Sequence, residues 1–204
     1  MKIIGLTGPS GAGKSTLCEV FEKIDIPCIN TDIVYHKMTS SPSPCLEELK
    51  KRFGNSIIDP SGALDRAALS KLVFECENSD KNLADLNSTT HKFVWYETSN
   101  LLTEYANQGK KAAVIDAPAL FSSEIFVNAC DFILSVLCDK NIRIERIMKR
   151  DGITYDRAIA RINAQPDDKF FIDNSDYFIY NGGMAEEMTA KLLTILEQEE
   201  ILSK

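Results

Sequence analysis

The stretch Gly8-Pro9-Ser10-Gly11-Ala12-Gly13-Lys14-Ser15-Thr16 constrains this chain more than any other part of it. It follows the phosphate-loop pattern, with glycine at the first and sixth places and Lys14 and Ser15 behind. Gly8, Gly11 and Gly13 let the backbone curl until successive N–H groups point inward at an anion. Lys14 carries a mobile positive charge to β- and γ-phosphates, and the Ser15 hydroxyl can ligate Mg²⁺. A helix that starts here turns its positive dipole end to the same phosphates. The pattern needs a strand before it and a helix after it. Ile3-Ile4-Gly5-Leu6-Thr7 is a short apolar run, and Leu17, Val20, Phe21 and Ile24 recur at helical spacing. The chain is therefore expected to bind a nucleoside triphosphate through Gly8, Gly11, Ala12, Gly13, Lys14, Ser15 and Thr16. Lys14 is expected to stand in solvent beside an empty loop.

With 204 residues the chain has room for one α/β domain and an elaboration or two. Its net charge of −7 argues against a nucleic-acid partner, which needs a basic surface. No run of about twenty apolar residues is present, so no membrane span is expected. A strand entered at Ile3 leaves no room for a signal peptide. The cysteines are Cys18, Cys28, Cys45, Cys76, Cys130 and Cys138, and none forms a Cys-x-x-Cys pair. With His36 and His91 the only histidines, a structural zinc site is disfavoured. Free buried thiols in a reducing cytoplasm are the expectation.

Residues 26–30 read as a second strand that ends at Thr31-Asp32. Ligands of an open parallel sheet sit beyond the carboxyl ends of its strands, which would bring Asp32 near the phosphate loop. A carboxylate there can accept a proton from an attacking hydroxyl. Thr31 and Asp32 also suit the N-cap of a helix over 33–38, and both readings stand on the residues alone. Thr39-Ser40-Ser41-Pro42-Ser43-Pro44 is turn-rich and reads as a boundary. From Cys45 to Gly109 the pattern is mostly helical. Leu46, Leu49 and Phe53 share a face, Asp59-Pro60-Ser61-Gly62 is a turn with room for a small hairpin, and a long helix carries Phe93, Trp95, Leu101, Leu102 and Tyr105. By analogy with other phosphate-loop enzymes, such an insert holds the second substrate.

The sheet resumes at Ala112-Ala113-Val114-Ile115-Asp116, where Asp116 suits either a magnesium shell or an ordinary strand cap. Residues 132–137 and 177–180 read as further strands, and 184–202 as a closing helix. Between them lies the most basic stretch, with Arg143, Arg146, Lys149, Arg150, Arg157 and Arg161. Arg143, Arg146 and Arg150 fall on one helical face. That face is either solvated and paired with Glu145, Asp151 and Asp156, or a lid whose guanidinium forks meet phosphate oxygens. The expected fold is α/β: a three-layer phosphate-loop NTPase fold with a parallel sheet in a single domain over 1–204. Its nucleotide core comprises 1–32, 110–138 and 177–204, with a helical acceptor-binding insert over 33–109 and a basic lid region over 139–176.

An ordered set of short matches runs through the chain. It comprises Thr31-Asp32-Ile33, Gly62-Ala63-Leu64-Asp65-Arg66 with Leu69, Leu86-Asn87 with Thr90-His91, and Pro118 with Leu120-Phe121. It continues with Arg146-Ile147-Met148-Lys149-Arg150-Asp151, Ala158 with Arg161-Ile162, Gln165, and Ile179 with Asn181. At this spacing the chain resembles the dephospho-coenzyme A kinase family over nearly its whole length. The resemblance implies ATP-dependent phosphorylation of the ribose 3′-hydroxyl of dephospho-coenzyme A, the last step of coenzyme A synthesis, by a cytoplasmic enzyme using Mg²⁺. It implies Asp32 as general base, and Lys14, Arg143, Arg146 and Arg150 as further catalytic groups. Asp32, Arg66, His91, Pro118 and Leu120 would meet the acceptor, and Ser15 and Asp116 the metal.

Three departures fall where the acceptor should bind. His91 is followed by Lys92 instead of proline, Ala119 stands in place of leucine, and Ser122 stands where the family has glutamate, with Glu124 two residues on. A different phosphate-loop kinase acting on a nucleotide or nucleoside, and a non-catalytic nucleotide-binding module, are the competing expectations. The presence of Lys14, Ser15, Asp32 and the basic face together speaks against the module.

Overall fold

Strand β1 (Lys2–Thr7) enters the sheet almost at once and becomes its centre, flanked on either side by strands that are buried from end to end. The computed structural model describes residues 1–40, 42–74, 78–183 and 185–202; Ser41 and Cys76, named above, lie outside the described residues, as does the first residue of the helix expected over 184–202. After β1 come α1 (Lys14–Lys23), β2 (Cys28–Asn30), α2 (Thr31–Thr39), α3 (Pro44–Phe53), α4 (Arg66–Phe74) and α5 (Ser79–Asn107). Then follow β3 (Ala112–Asp116), α6 (Glu124–Val127), β4 (Phe132–Leu137), α7 (Lys140–Asp151), α8 (Tyr155–Asn163), α9 (Asp168–Asp173), β5 (Tyr177–Tyr180) and α10 (Ala185–Gln198).

The sheet order is β2-β3-β1-β4-β5. β1 runs parallel to β3, with Leu6 beside Asp116, and parallel to β4, with Thr7 beside Ser135; β4 runs parallel to β5. Near-continuous apolar runs such as Ala112-Ala113-Val114-Ile115 and Phe132-Ile133-Leu134 are what a parallel sheet covered on both faces requires. Ile4, Leu6, Val114, Leu134 and Val136 pack with Leu17 and Phe21 of α1 and with Met188, Leu192 and Leu196 of α10. A smaller cluster, Ile144 and Ile147 with Ala158 and Ile162, joins α7 to α8.

The chain forms two compact units, one of Met1–Ile29 with Leu102–Lys204 and one of Asn30–Leu101. The second unit starts a few residues before the insert expected at 33. Helix α2 follows β2 without a loop, and α5 carries the chain back as one continuous helix. The second unit has its own core of Cys45, Leu46, Leu49, Ile57, Leu64, Leu69 and Val73. Ser43 caps α3 by accepting from the Leu46 N–H at 3.1 Å, and Pro44 occupies the first turn, where its missing N–H costs nothing. The turn at 59–62 is closed by Asp59 Oδ1, which accepts from the Ser61 and Ala63 N–H groups at 2.8 and 3.0 Å. It carries a single antiparallel bridge, Ile58 to Leu64, in place of a hairpin. Among the described residues, Cys18, Cys28, Cys45, Cys130 and Cys138 are free thiols, and no helix is long and apolar enough to cross a membrane.

Candidate active site

β1 feeds directly into the glycine-rich loop. Gly8 has φ +137° and Gly13 has φ +104°, values that side chains rarely adopt. Space is as restrictive as conformation. A Cβ on Gly8 would lie 2.2 Å from the Val136 carbonyl oxygen, and one on Gly13 would lie 2.0 Å from Asn181 Nδ2. Gly13 caps α1 without a side-chain bond, so the first-turn N–H groups of that helix have no side-chain cap and suit an anion.

The loop's carbonyls are gripped from outside. Arg143 Nε donates to the Ser10 carbonyl at 3.0 Å. Arg146 Nη1 donates to the carbonyls of Gly11 at 3.3 Å and Ala12 at 3.4 Å, and Asn181 Nδ2 donates to Ala12 at 2.8 Å. A trans peptide points its N–H opposite its C=O. Holding the Ser10 and Ala12 carbonyls outward therefore turns the Gly11 and Gly13 N–H groups the other way, into the curl of the loop. Gln165 Oε1 accepts from the Ser10 N–H at 3.0 Å and from Arg143 Nη2 at 3.1 Å.

The basic face of α7 thus lies against the loop, and its members differ. Arg143 is 5% exposed. Burial lowers its pKa, an effect opposed by Asp168, 3.9 Å away. Arg150 is exposed; it reaches Ser10 Oγ at 3.5 Å and is otherwise held by Asp151 at 2.7 and 2.9 Å. Those bonds from Arg150, then one from Arg161, hold the Asp151 carboxyl down at about 2. Lys14 does not stand in solvent as expected. It is half-buried, and its flexible stem folds the ammonium back to donate to the Gly8 carbonyl at 3.2 Å. Ser15 is exposed on the first turn of α1, Ala12 is buried and Thr16 half-buried.

Asp116 ends β3 beside Leu6, one strand over from the loop's entry, and is 6% exposed. Among the described residues no group of three or more His, Cys, Asp or Glu gathers to form a cage. A hydroxyl and one carboxylate still fit Mg²⁺, which keeps several waters and is completed by substrate phosphates. After β3, the Pro118 carbonyl accepts from Thr7 Oγ1 at 3.4 Å. Leu120, expected to meet the acceptor, is 1% exposed, and its Cδ2 would lie 2.9 Å from a Cβ on Gly5. It fills the core under β1 and offers no surface to a ligand. Phe121 instead packs edge-on against Phe170 of α9 at 5.5 Å. Ser122 turns its hydroxyl to the Ala119 carbonyl at 2.7 Å, and Glu124 begins α6, exposed.

In the second unit, Asp32 is exposed in the first turn of α2. It is not the cap, and neither is Thr31. Asn30 Oδ1 takes that role, accepting from the Ile33 N–H at 2.9 Å, because the helix starts two residues before the expected position. Arg66 opens α4; its Nη2 donates to Thr39 Oγ1 at 2.9 Å, while its buried Nε has no hydrogen-bond acceptor among the described residues. His91 is half-buried on α5, and burial lowers its pKa. Lys92 forms an ion pair with Glu48 of α3, a surface contact that proline could not make.

Gln165 and Asn181 have no role that the sequence alone assigns. Neutral amides have no motif of their own. Position alone marked them: one sits just past a helix of the basic stretch and the other just past a strand end, where loops approach ligands in such sheets.

The dephospho-CoA kinase family model matches residues 2–187. A dephospho-CoA kinase of Bacillus cereus is 32% identical over 200 residues, covering 98% of both chains. A crystal structure of a Thermus thermophilus protein superposes with a TM-score of 0.79 at 26% identity, covering 97% of each chain. A dephospho-CoA kinase of Campylobacter jejuni shares the fold, with a TM-score of 0.59 at 21% identity over 97% of this chain and 96% of that one.

Proposed function

The chain belongs to the dephospho-CoA kinase family, and from that membership we propose that it transfers the γ-phosphoryl group of ATP to the ribose 3′-hydroxyl of dephospho-coenzyme A, giving coenzyme A and ADP. The observation that carries the reading is the loop itself. Its glycines are locked by φ and by space, and its outward carbonyls are held so that N–H groups face the curl. Phosphoryl transfer asks a protein mainly for position and for positive charge over the moving group. The loop amides and the first turn of α1 bind the triphosphate. Lys14 exchanges the Gly8 carbonyl for phosphate oxygens and follows the charge as it develops. Ser15 and Asp116 would hold Mg²⁺, which would supply positive charge against the triphosphate.

On the acceptor side, Asp32 takes the proton of the 3′-hydroxyl at its carboxylate oxygen. Support comes from its exposure and from Asn30 having taken the capping role, which leaves Asp32 no structural duty as a cap. Arg66 and His91 bind the acceptor. The Arg66 Nε, buried without an acceptor among the described residues, suits an incoming anionic oxygen, and a neutral His91 suits a hydroxyl or carbonyl.

The test is single-turnover transfer with Asp32→Asn, beside ATP binding by calorimetry and a panel of dephospho-coenzyme A, guanylate and uridine as acceptors. Transfer should fall about 10²- to 10⁴-fold, as for a positioned general base, with ATP affinity unchanged. Transfer at the parent rate removes Asp32 from the reaction; loss of ATP binding moves it to the metal shell; preference for guanylate or uridine overturns the acceptor.

A further inference from the structure

Both backbone groups of Ser10 have fixed partners outside the loop, and one closed ring of hydrogen bonds supplies them. Its N–H donates to Gln165 Oε1, its carbonyl accepts from Arg143 Nε, and Arg143 Nη2 donates to the same Gln165 oxygen, with lengths of 3.0, 3.0 and 3.1 Å. Both lone pairs of the Gln165 oxygen are used. Gln165 sits in the short link between α8 and α9, half-buried, with Asp168 beyond it at 3.9 Å from Arg143.

We propose that Gln165 is a positioning residue for phosphoryl transfer, acting as a neutral double acceptor that fixes the Ser10 peptides and the Arg143 guanidinium together without cancelling the charge of Arg143. The neutrality is the central point. A carboxylate has the same reach and would accept the same two bonds more strongly, because both would become charge-assisted. Carboxylates commonly hold buried arginines for that reason. Here the gripped backbone is the wall of an anion site. A negative charge one hydrogen bond from Ser10 would repel a triphosphate in a partly buried setting where screening is weak. An amide keeps the geometry and leaves the positive field of Arg143 intact. Asp168, the nearest carboxylate to Arg143, stays at a distance too long for a hydrogen bond.

The inference rests on ATP being the nucleotide of this site, and its main readout needs no acceptor. Failure of the acceptor assignment and failure of this proposal are therefore distinguishable. Gln165→Glu keeps both bonds and adds charge; Gln165→Met keeps volume and removes both bonds. For each, the thermal midpoint without nucleotide, ATP affinity by calorimetry, and kcat and KM with dephospho-coenzyme A are measured.

For Gln165→Glu the midpoint should equal or exceed that of the parent, while ATP binds about tenfold weaker or worse, an effect of charge that salt should reduce. For Gln165→Met, kcat should fall about tenfold with the acceptor KM unchanged, as when an interaction made in the transition state is lost. Opposite signs for stability and ATP affinity in the Glu variant are the mark of a positioning role. If midpoint and affinity fall together in that variant, or if either variant binds and turns over ATP like the parent, the assignment is overturned.

Discussion

Replacing Gly13 by alanine should destabilise the protein by two separable terms. The first is conformational. At φ +104° an alanine is strained, and left-handed backbone costs a non-glycine residue about 1–2 kcal/mol. The second is steric. The new Cβ would lie 2.0 Å from Asn181 Nδ2, whereas carbon contacts are comfortable only near about 3.5 Å. Asn181 must then withdraw, and its 2.8 Å bond to the Ala12 carbonyl breaks. Asn181 is 7% exposed, so its amide is left buried and unpaired, which costs about 1–3 kcal/mol. The sum is about 2–5 kcal/mol, or a midpoint lowered by roughly 5–15 °C for a chain of this size.

Asn181→Ala alone loses the same bond, leaving the Ala12 carbonyl to Arg146 at 3.4 Å, and should cost about 1–2 kcal/mol. In the double variant the clash has nothing left to displace, and only the φ strain is added to the cost of Asn181→Ala. The cycle should therefore show a favourable coupling of about 1–3 kcal/mol. Urea denaturation of the four nucleotide-free proteins reads it. Costs that add to within about 0.5 kcal/mol would refute the reasoning, because Asn181 would then not stand where Gly13 forbids a side chain.

Lys14→Ala should lower turnover by on the order of 10² or more, as loss of a transition-state charge partner does, and cost about 1 kcal/mol of stability with the bond to the Gly8 carbonyl; near-normal turnover would defeat that role. Arg143→Ala should destabilise by about 2–3 kcal/mol by stripping charged bonds from the half-buried Ser10 carbonyl and Gln165 amide oxygen, whereas the exposed Arg150→Ala should stay within about 0.5 kcal/mol, and equal midpoints for the two would contradict the geometry. Burial depresses the folded pKa of His91, so protonation favours the unfolded chain. Its share of stability is full above the unfolded value of about 6.5 and is lost as pH falls below it. Between about pH 7.5 and 5.5 the parent midpoint should fall more than that of His91→Gln, and equal falls would exclude the histidine.

The sequence alone determined strand β1, the loop and helix α1, because those are local facts. Glycine spacing, an apolar run and a helical period act within some twenty residues and need nothing distant to be read. It also determined the family, since short matches in fixed order survive whatever the packing does. Tertiary structure decided what holds the loop. Arg143, Arg146 and Asn181, which meet the loop carbonyls, and Gln165, which accepts from the Ser10 N–H, come from more than 130 residues downstream and reach the loop only because β4 pairs with β1 and β5 with β4. A sequence shows that arginines share a helical face but not what that face meets, so lid and solvated surface both stood until packing placed Ser10 and Gly11 against it. Leu120 and Lys14 were misjudged for the same reason. Whether an apolar side chain fills a core or lines a site, and whether an ammonium finds a carbonyl or water, depends on neighbours that the chain supplies only after folding.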